Sequence, residues 1–75
     1  MRKVINGKLY DTDKSEVIYI DQMTKRAVCR TEKGSYFILY SNNQIVPKTE
    51  DEIKEYIGLH DADLYIELFG MIEEA

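Results

Sequence analysis

Arg26-Ala27-Val28-Cys29-Arg30-Thr31-Glu32-Lys33-Gly34-Ser35-Tyr36-Phe37-Ile38-Leu39-Tyr40, residues 26–40, carries the strongest β signal in the chain. Two apolar arms flank a polar turn in which Gly34 can take the left-handed conformation. On the second arm Phe37 and Leu39 share one face, and Tyr36, Ile38 and Tyr40 share the other. Both faces are apolar, so a central strand is predicted, with a tyrosine-rich face only partly covered.

Toward the N-terminus, Val17-Ile18-Tyr19-Ile20 reads as a further strand, broken by residues 21–25. Asn6-Gly7 between Val4-Ile5 and Leu9-Tyr10 suits a type I′ turn, so a short hairpin is predicted over residues 2–10. Asp11-Thr12-Asp13 reads as a turn or the start of a one-turn helix. Toward the C-terminus, Ser41-Asn42-Asn43 is a turn, and Gln44-Ile45-Val46 is a brief strand expected to stop at Pro47, which has no amide for a ladder bond.

After Pro47 the period changes from two to about 3.6. Thr49 with Glu52 forms a capping box. Ile53, Tyr56 and Ile57 then lie on one face of a helix expected to end at Gly58. Asp61 can cap a second helix, with Tyr65, Leu68, Phe69 and Ile72 on its apolar face and Gly70 ending or kinking it. Ile53, Ile57, Leu68 and Phe69 are expected to be buried. These elements define one α+β domain over residues 1–75: a small antiparallel sheet of four to five strands followed by two short C-terminal helices.

The charge is divided between these two parts. Residues 1–47 hold eight Lys/Arg and five Asp/Glu, a net of +3, whereas residues 48–75 hold two Lys and nine Asp/Glu, a net of −7. A helical surface of that sign repels nucleic acid and attracts basic partners. Asp51 and Glu55 should project from the first helix away from its core face, and Asp63 and Glu67 from the second. With Glu50 they form a carboxylate array suited to a basic groove that otherwise holds nucleic acid, where duplex charges recur about every 1.7 Å of axis. Tyr36 and Tyr40 supply a second candidate contact face. The basic alternative is the central hairpin, where Lys25, Arg26, Arg30 and Lys33 stand near Tyr36 in a pattern that can stack and neutralise single strands. The acidic balance of the whole chain argues against direct nucleic-acid binding. A self-associating protein, such as a homodimer joined at an open sheet edge, is the third reading.

Enzyme chemistry finds little support. His60, the one histidine, reads as a turn residue near a helix C-terminus. Cys29, the one cysteine, reads as a small core residue of an alternating strand. One Cys and one His cannot supply a zinc site, and the residues after Asp11-Thr12-Asp13 lack the glycine and closing glutamate of a calcium loop. No cofactor is expected. A lone cysteine agrees with a cytoplasmic setting. No apolar run is long enough to span a membrane. No apolar segment of the kind a signal peptide needs follows Met1-Arg2-Lys3.

Three segments together carry a family resemblance. Residues 5–13 (INGKLYDTD), residues 30–40 (RTEKGSYFILY) and residues 61–70 (DADLYIELFG, with Glu73-Glu74-Ala75 beyond) resemble the opening, central and closing segments of small proteins from phages and integrated elements of Gram-positive bacteria. Some members of that kind sit among anti-CRISPR or other anti-defence genes. The resemblance implies a non-enzymatic inhibitor acting on a protein with a basic surface, such as a CRISPR effector nuclease. Longer relatives carry a Gly/Ser-rich insertion after the central strand, reduced here to Ser41-Asn42-Asn43. The resemblance brings no catalytic residue with it.

Overall fold

The turn at Asn6-Gly7 decides the first element, because both residues take positive φ, 51° and 76°. That is the twist a two-residue hairpin requires. It joins β1 (Arg2–Ile5) to β2 (Lys8–Asp11) in an antiparallel ribbon with Lys3 facing Tyr10 and Val4 facing Leu9. Asp11 then caps a single 3₁₀ turn, Thr12–Lys14, by accepting from the Asp13 amide at 3.0 Å. The computed structural model describes residues 1–70 and 73–74. Ile72, expected on the apolar face of the last helix, lies outside the described residues.

Four further strands form one antiparallel sheet in chain order: β3 (Glu16–Asp21), β4 (Arg26–Arg30), β5 (Tyr36–Leu39) and β6 (Ile45–Lys48). The central pair is the quoted hairpin, with Arg30 facing Tyr36 and Ala27 facing Leu39. Gly34 takes φ +87° in its turn. In β3, Val17 faces Cys29 but Tyr19 faces Val28, so Ile18 is an extra residue, a β-bulge. The bulge lets Ile18 and Tyr19 both pack toward the same core.

Pro47 does not stop β6. The strand runs on to Lys48, with Pro47 facing Phe37. The Tyr40 amide donates to the Gln44 carbonyl at 2.9 Å, and bonded pairs alternate along an antiparallel ladder. Pro47 therefore falls at a non-bonded position of an edge strand, where its missing N–H would have faced outward.

The sheet is covered on both faces. On one, Tyr10 and Ile5 of the first hairpin pack against Cys29, Phe37, Ile45 and Leu39, with the Tyr10 ring edge-on to Phe37 at 5.6 Å. On the other, α1 (Glu50–His60) and α2 (Ala62–Phe69) close over Val28, Tyr36 and Ile38. Ile53 and Ile57 are fully buried there, and each such side chain contributes about 1.5–3 kcal/mol by leaving water. Two expectations need correcting. α1 does not end at Gly58 but runs through it to His60, where the Asp61 amide closes it on the Ile57 carbonyl; a Cβ at Gly58 would make only ordinary contact with Tyr65 Cδ2, at 3.5 Å. Leu68 and Phe69 are half-buried rather than buried, since α2 lies at the rim of the core. No helix among the described residues is long and apolar enough to cross a membrane.

Candidate functional site

The acidic face is built by three caps. At the start of α1 the Thr49 Oγ1 accepts from the Glu52 amide at 3.2 Å, and the Thr49 amide donates to Glu52 Oε1 at 3.0 Å. This reciprocal box is the one its sequence spacing predicts, and such a cap contributes about 1 kcal/mol. At the junction Asp61 serves both helices. Its amide donates to the Ile57 carbonyl at 2.7 Å, closing α1, and its carboxylate accepts from the Leu64 amide at 3.1 Å, opening α2. Gly70, at φ +99°, then ends α2.

These caps use some carboxylates and leave others over. Glu52 is held by Thr49 and lies 3.8 Å from Lys48, and the Thr49 bonds depress its pKa. Glu50 pairs with Lys54 at 3.2 Å and raises that lysine's pKa. Lys54 also sits over the Phe69 ring, tying α1 to α2. Asp51, Glu55, Asp63 and Glu67 are exposed and enter no ion pair among the described residues.

Position separates these four. Asp51 and Asp63 stand in first turns, where the helix dipole favours a negative charge. Glu55 and Glu67 have no such support. Each lies one turn beyond another acid at i,i+4, a like-charge arrangement that costs about 0.2–0.5 kcal/mol. Glu67 also falls near the C-terminal end of α2, which carries no basic residue in its last turn. Two apolar side chains share the helical layer with them: Leu59 is 78% exposed and Ile66 40%. Sequence reasoning assigned neither to a contact surface, although both stand off the apolar stripes.

The tyrosine face is largely covered. Tyr36 is only 6% exposed, covered by the helices and packed 6.4 Å from the Phe69 ring. Tyr40 is half-buried, with the Arg26 guanidinium 4.2 Å above its ring. Two members of the basic cluster, Arg30 and Arg26, have partners. Arg30 is held by Glu16 at 3.2 Å and its pKa is raised by that partner. Arg26 lies over the Tyr40 ring, and Lys25 and Lys33 stand at separate turns.

His60 ends α1 with its ring stacked on Tyr56, centroids 4.3 Å apart, and its Nδ1 donates to the Tyr56 carbonyl at 2.8 Å. The Tyr56 hydroxyl donates to Asp21 Oδ2 at 2.9 Å, clipping α1 to the end of β3. Burial, then the bond to Asp21, pushes Tyr56 up to about 12, and the same bond holds Asp21 below the usual carboxylate range. Cys29 is buried, and desolvation raises its thiol. Among the described residues no group of three or more His, Cys, Asp or Glu is placed to hold a metal ion.

No protein-family model, no curated protein and no solved structure matches this chain.

Proposed function

We propose that this protein is a non-enzymatic, protein-binding inhibitor that presents its acidic helical layer to a basic surface of its target. The carrying observation is the pair Glu55 and Glu67, exposed, without ion-pair partners among the described residues, and without helix-dipole support. A stabilising role does not account for them, whereas a partner's Lys and Arg would. Asp51, Asp63 and Glu50 extend the array, and Leu59 and Ile66 supply the apolar contacts that charge alone does not give. The resemblance to small phage and mobile-element proteins favours a nuclease of a bacterial defence system, such as a CRISPR effector, as the target.

The test is capture from a bacterial lysate with the native protein and with the double variant Glu55→Lys/Glu67→Lys as baits. Neither position is a cap or a first-turn acid, so each change should alter stability by no more than about 0.5 kcal/mol. The native bait should retain a basic, nucleic-acid-handling protein that the folded double variant loses. Equal capture of the same protein by both baits would remove the acidic layer from the binding surface.

The exposed edge of the sheet supports one other reading. Among the described residues no strand pairs with the outer side of β3, and Val17 and Ile20 on it are each 52% exposed. Self-association there predicts a concentration-dependent dimer in sedimentation that Ile20→Lys disperses.

A further inference from the structure

Ten Lys and Arg side chains are present, and most have an evident occupation. Arg2, Arg30, Lys48 and Lys54 are in ion pairs, Lys3 donates to the Asn43 carbonyl, and Arg26 covers Tyr40. Among the described residues Lys8, Lys14, Lys25 and Lys33 have no such partner. Three of these, Lys8, Lys14 and Lys33, line a single groove of about 530 Å³ between β2, the 3₁₀ turn and the β4–β5 turn.

We propose that this groove binds a small organic phosphate of roughly nucleotide size. Its volume falls within the range of about 300–1,000 Å³ usual for ligand sites. Two carboxylates also line it. Asp11 is already engaged, its Oδ1 with the Asp13 amide and its Oδ2 with Arg2 at 3.6 Å. Glu32 is then the one carboxylate of the lining left to face the three ammonium groups, and the positive surplus suits a phosphate anion. Ser35 and Thr31 add hydroxyl groups to the lining. Leu9, half exposed, and the methylene stems of the lysines form an apolar wall for the organic part. The groove belongs to the hairpin layer, so its occupancy is independent of the acidic helices.

The experiment is an amide-resolved NMR titration of the native protein with ADP and, separately, with inorganic pyrophosphate at constant ionic strength. Saturable shifts are expected at Leu9, Lys33 and Ser35, with a Kd for ADP at or below about 1 mM. ADP should bind more tightly than pyrophosphate. Lys8→Gln/Lys14→Gln/Lys33→Gln, all exposed positions, should keep the native spectrum elsewhere and weaken binding at least tenfold. Lys25→Gln, an unpartnered lysine outside the groove, should bind as the native protein does. Non-saturating shifts reproduced by sodium chloride, undiminished binding by the triple variant, or pyrophosphate binding as tightly as ADP would each overturn the assignment.

Discussion

The two faces of the four-stranded sheet are covered in unlike ways. On the hairpin side a two-stranded ribbon lays Tyr10 and Ile5 over Phe37 and Cys29, and leaves Val4, Leu9, Val17 and Ile20 at least half exposed. On the helix side two capped helices bury Ile53 and Ile57 completely and gather the half-buried Tyr19, Tyr40, Tyr56 and Tyr65 around them. The helix side is closed by packing and caps, and its surplus is charge. The hairpin side is thinner, and its surplus is apolar surface and unpartnered lysine. Both boundaries hold fully buried side chains, and the two sides differ in what they leave on the outer surface.

Core truncation tests that contrast most severely. Phe37→Ala removes the fully buried ring between sheet and hairpin and should cost about 3–5 kcal/mol, and Ile57→Ala on the helix side about 2–5 kcal/mol. Leu68→Ala, at the half-buried rim, should cost only about 1 kcal/mol in denaturant unfolding. A Leu68 loss as large as that of Ile57 would break the picture of α2 as a rim helix. Next in size, Thr49→Ala removes the capping box and should lower stability by about 1 kcal/mol, whereas Thr49→Ser should retain most of it.

The Tyr56–Asp21 clip sharpens the comparison through pH. Tyr56 is raised in the folded state, so its contribution is complete below the ordinary value of 10.0 and is lost as pH rises toward about 12. Asp21 is lowered, so its contribution is present above the ordinary 3.8 and is lost as pH falls below it. Thermal unfolding of Tyr56→Phe should therefore show a flatter alkaline limb than the native protein between pH 10.0 and about 12. The smallest effect is a gain. Gly58→Ala places a methyl in ordinary contact with Tyr65 inside α1, and should stabilise by about 0.5–1 kcal/mol.

Much of the fold was legible because it rests on local chemistry. Asn6-Gly7, Thr49 with Glu52, and Asp61 each specify backbone hydrogen bonds within a few residues, and each is found where the pattern puts it. What escaped was set by distant partners. Gly58 reads as a helix stop, but the stop is made three residues later, where Asp61 closes α1 and opens α2. Pro47 reads as a strand stop unless β6 is known to be an edge. Tyr36 reads as contact surface until the helices are seen to cover it. Of the candidate site, the exposure of Asp51, Glu55, Asp63 and Glu67 followed from helical period alone. Their isolation from Lys48 and Lys54, and the exposure of Leu59 and Ile66 beside them, depended on which cations the first turn of α1 recruits and on how α1 and α2 meet.

The single residue between the helices has a mechanical consequence. Asp61 closes one helix with its amide and opens the next with its carboxylate, so no freely jointed segment separates the two acidic rods. A partner that docks across both has no linker to freeze, and the ordering entropy that a flexible tether would forfeit on binding is already spent during folding. The same economy makes the junction intolerant of length changes. One inserted residue that extended α1 would turn the start of α2 by about 100° around the α1 axis and carry Asp63 and Glu67 to another quarter of the surface.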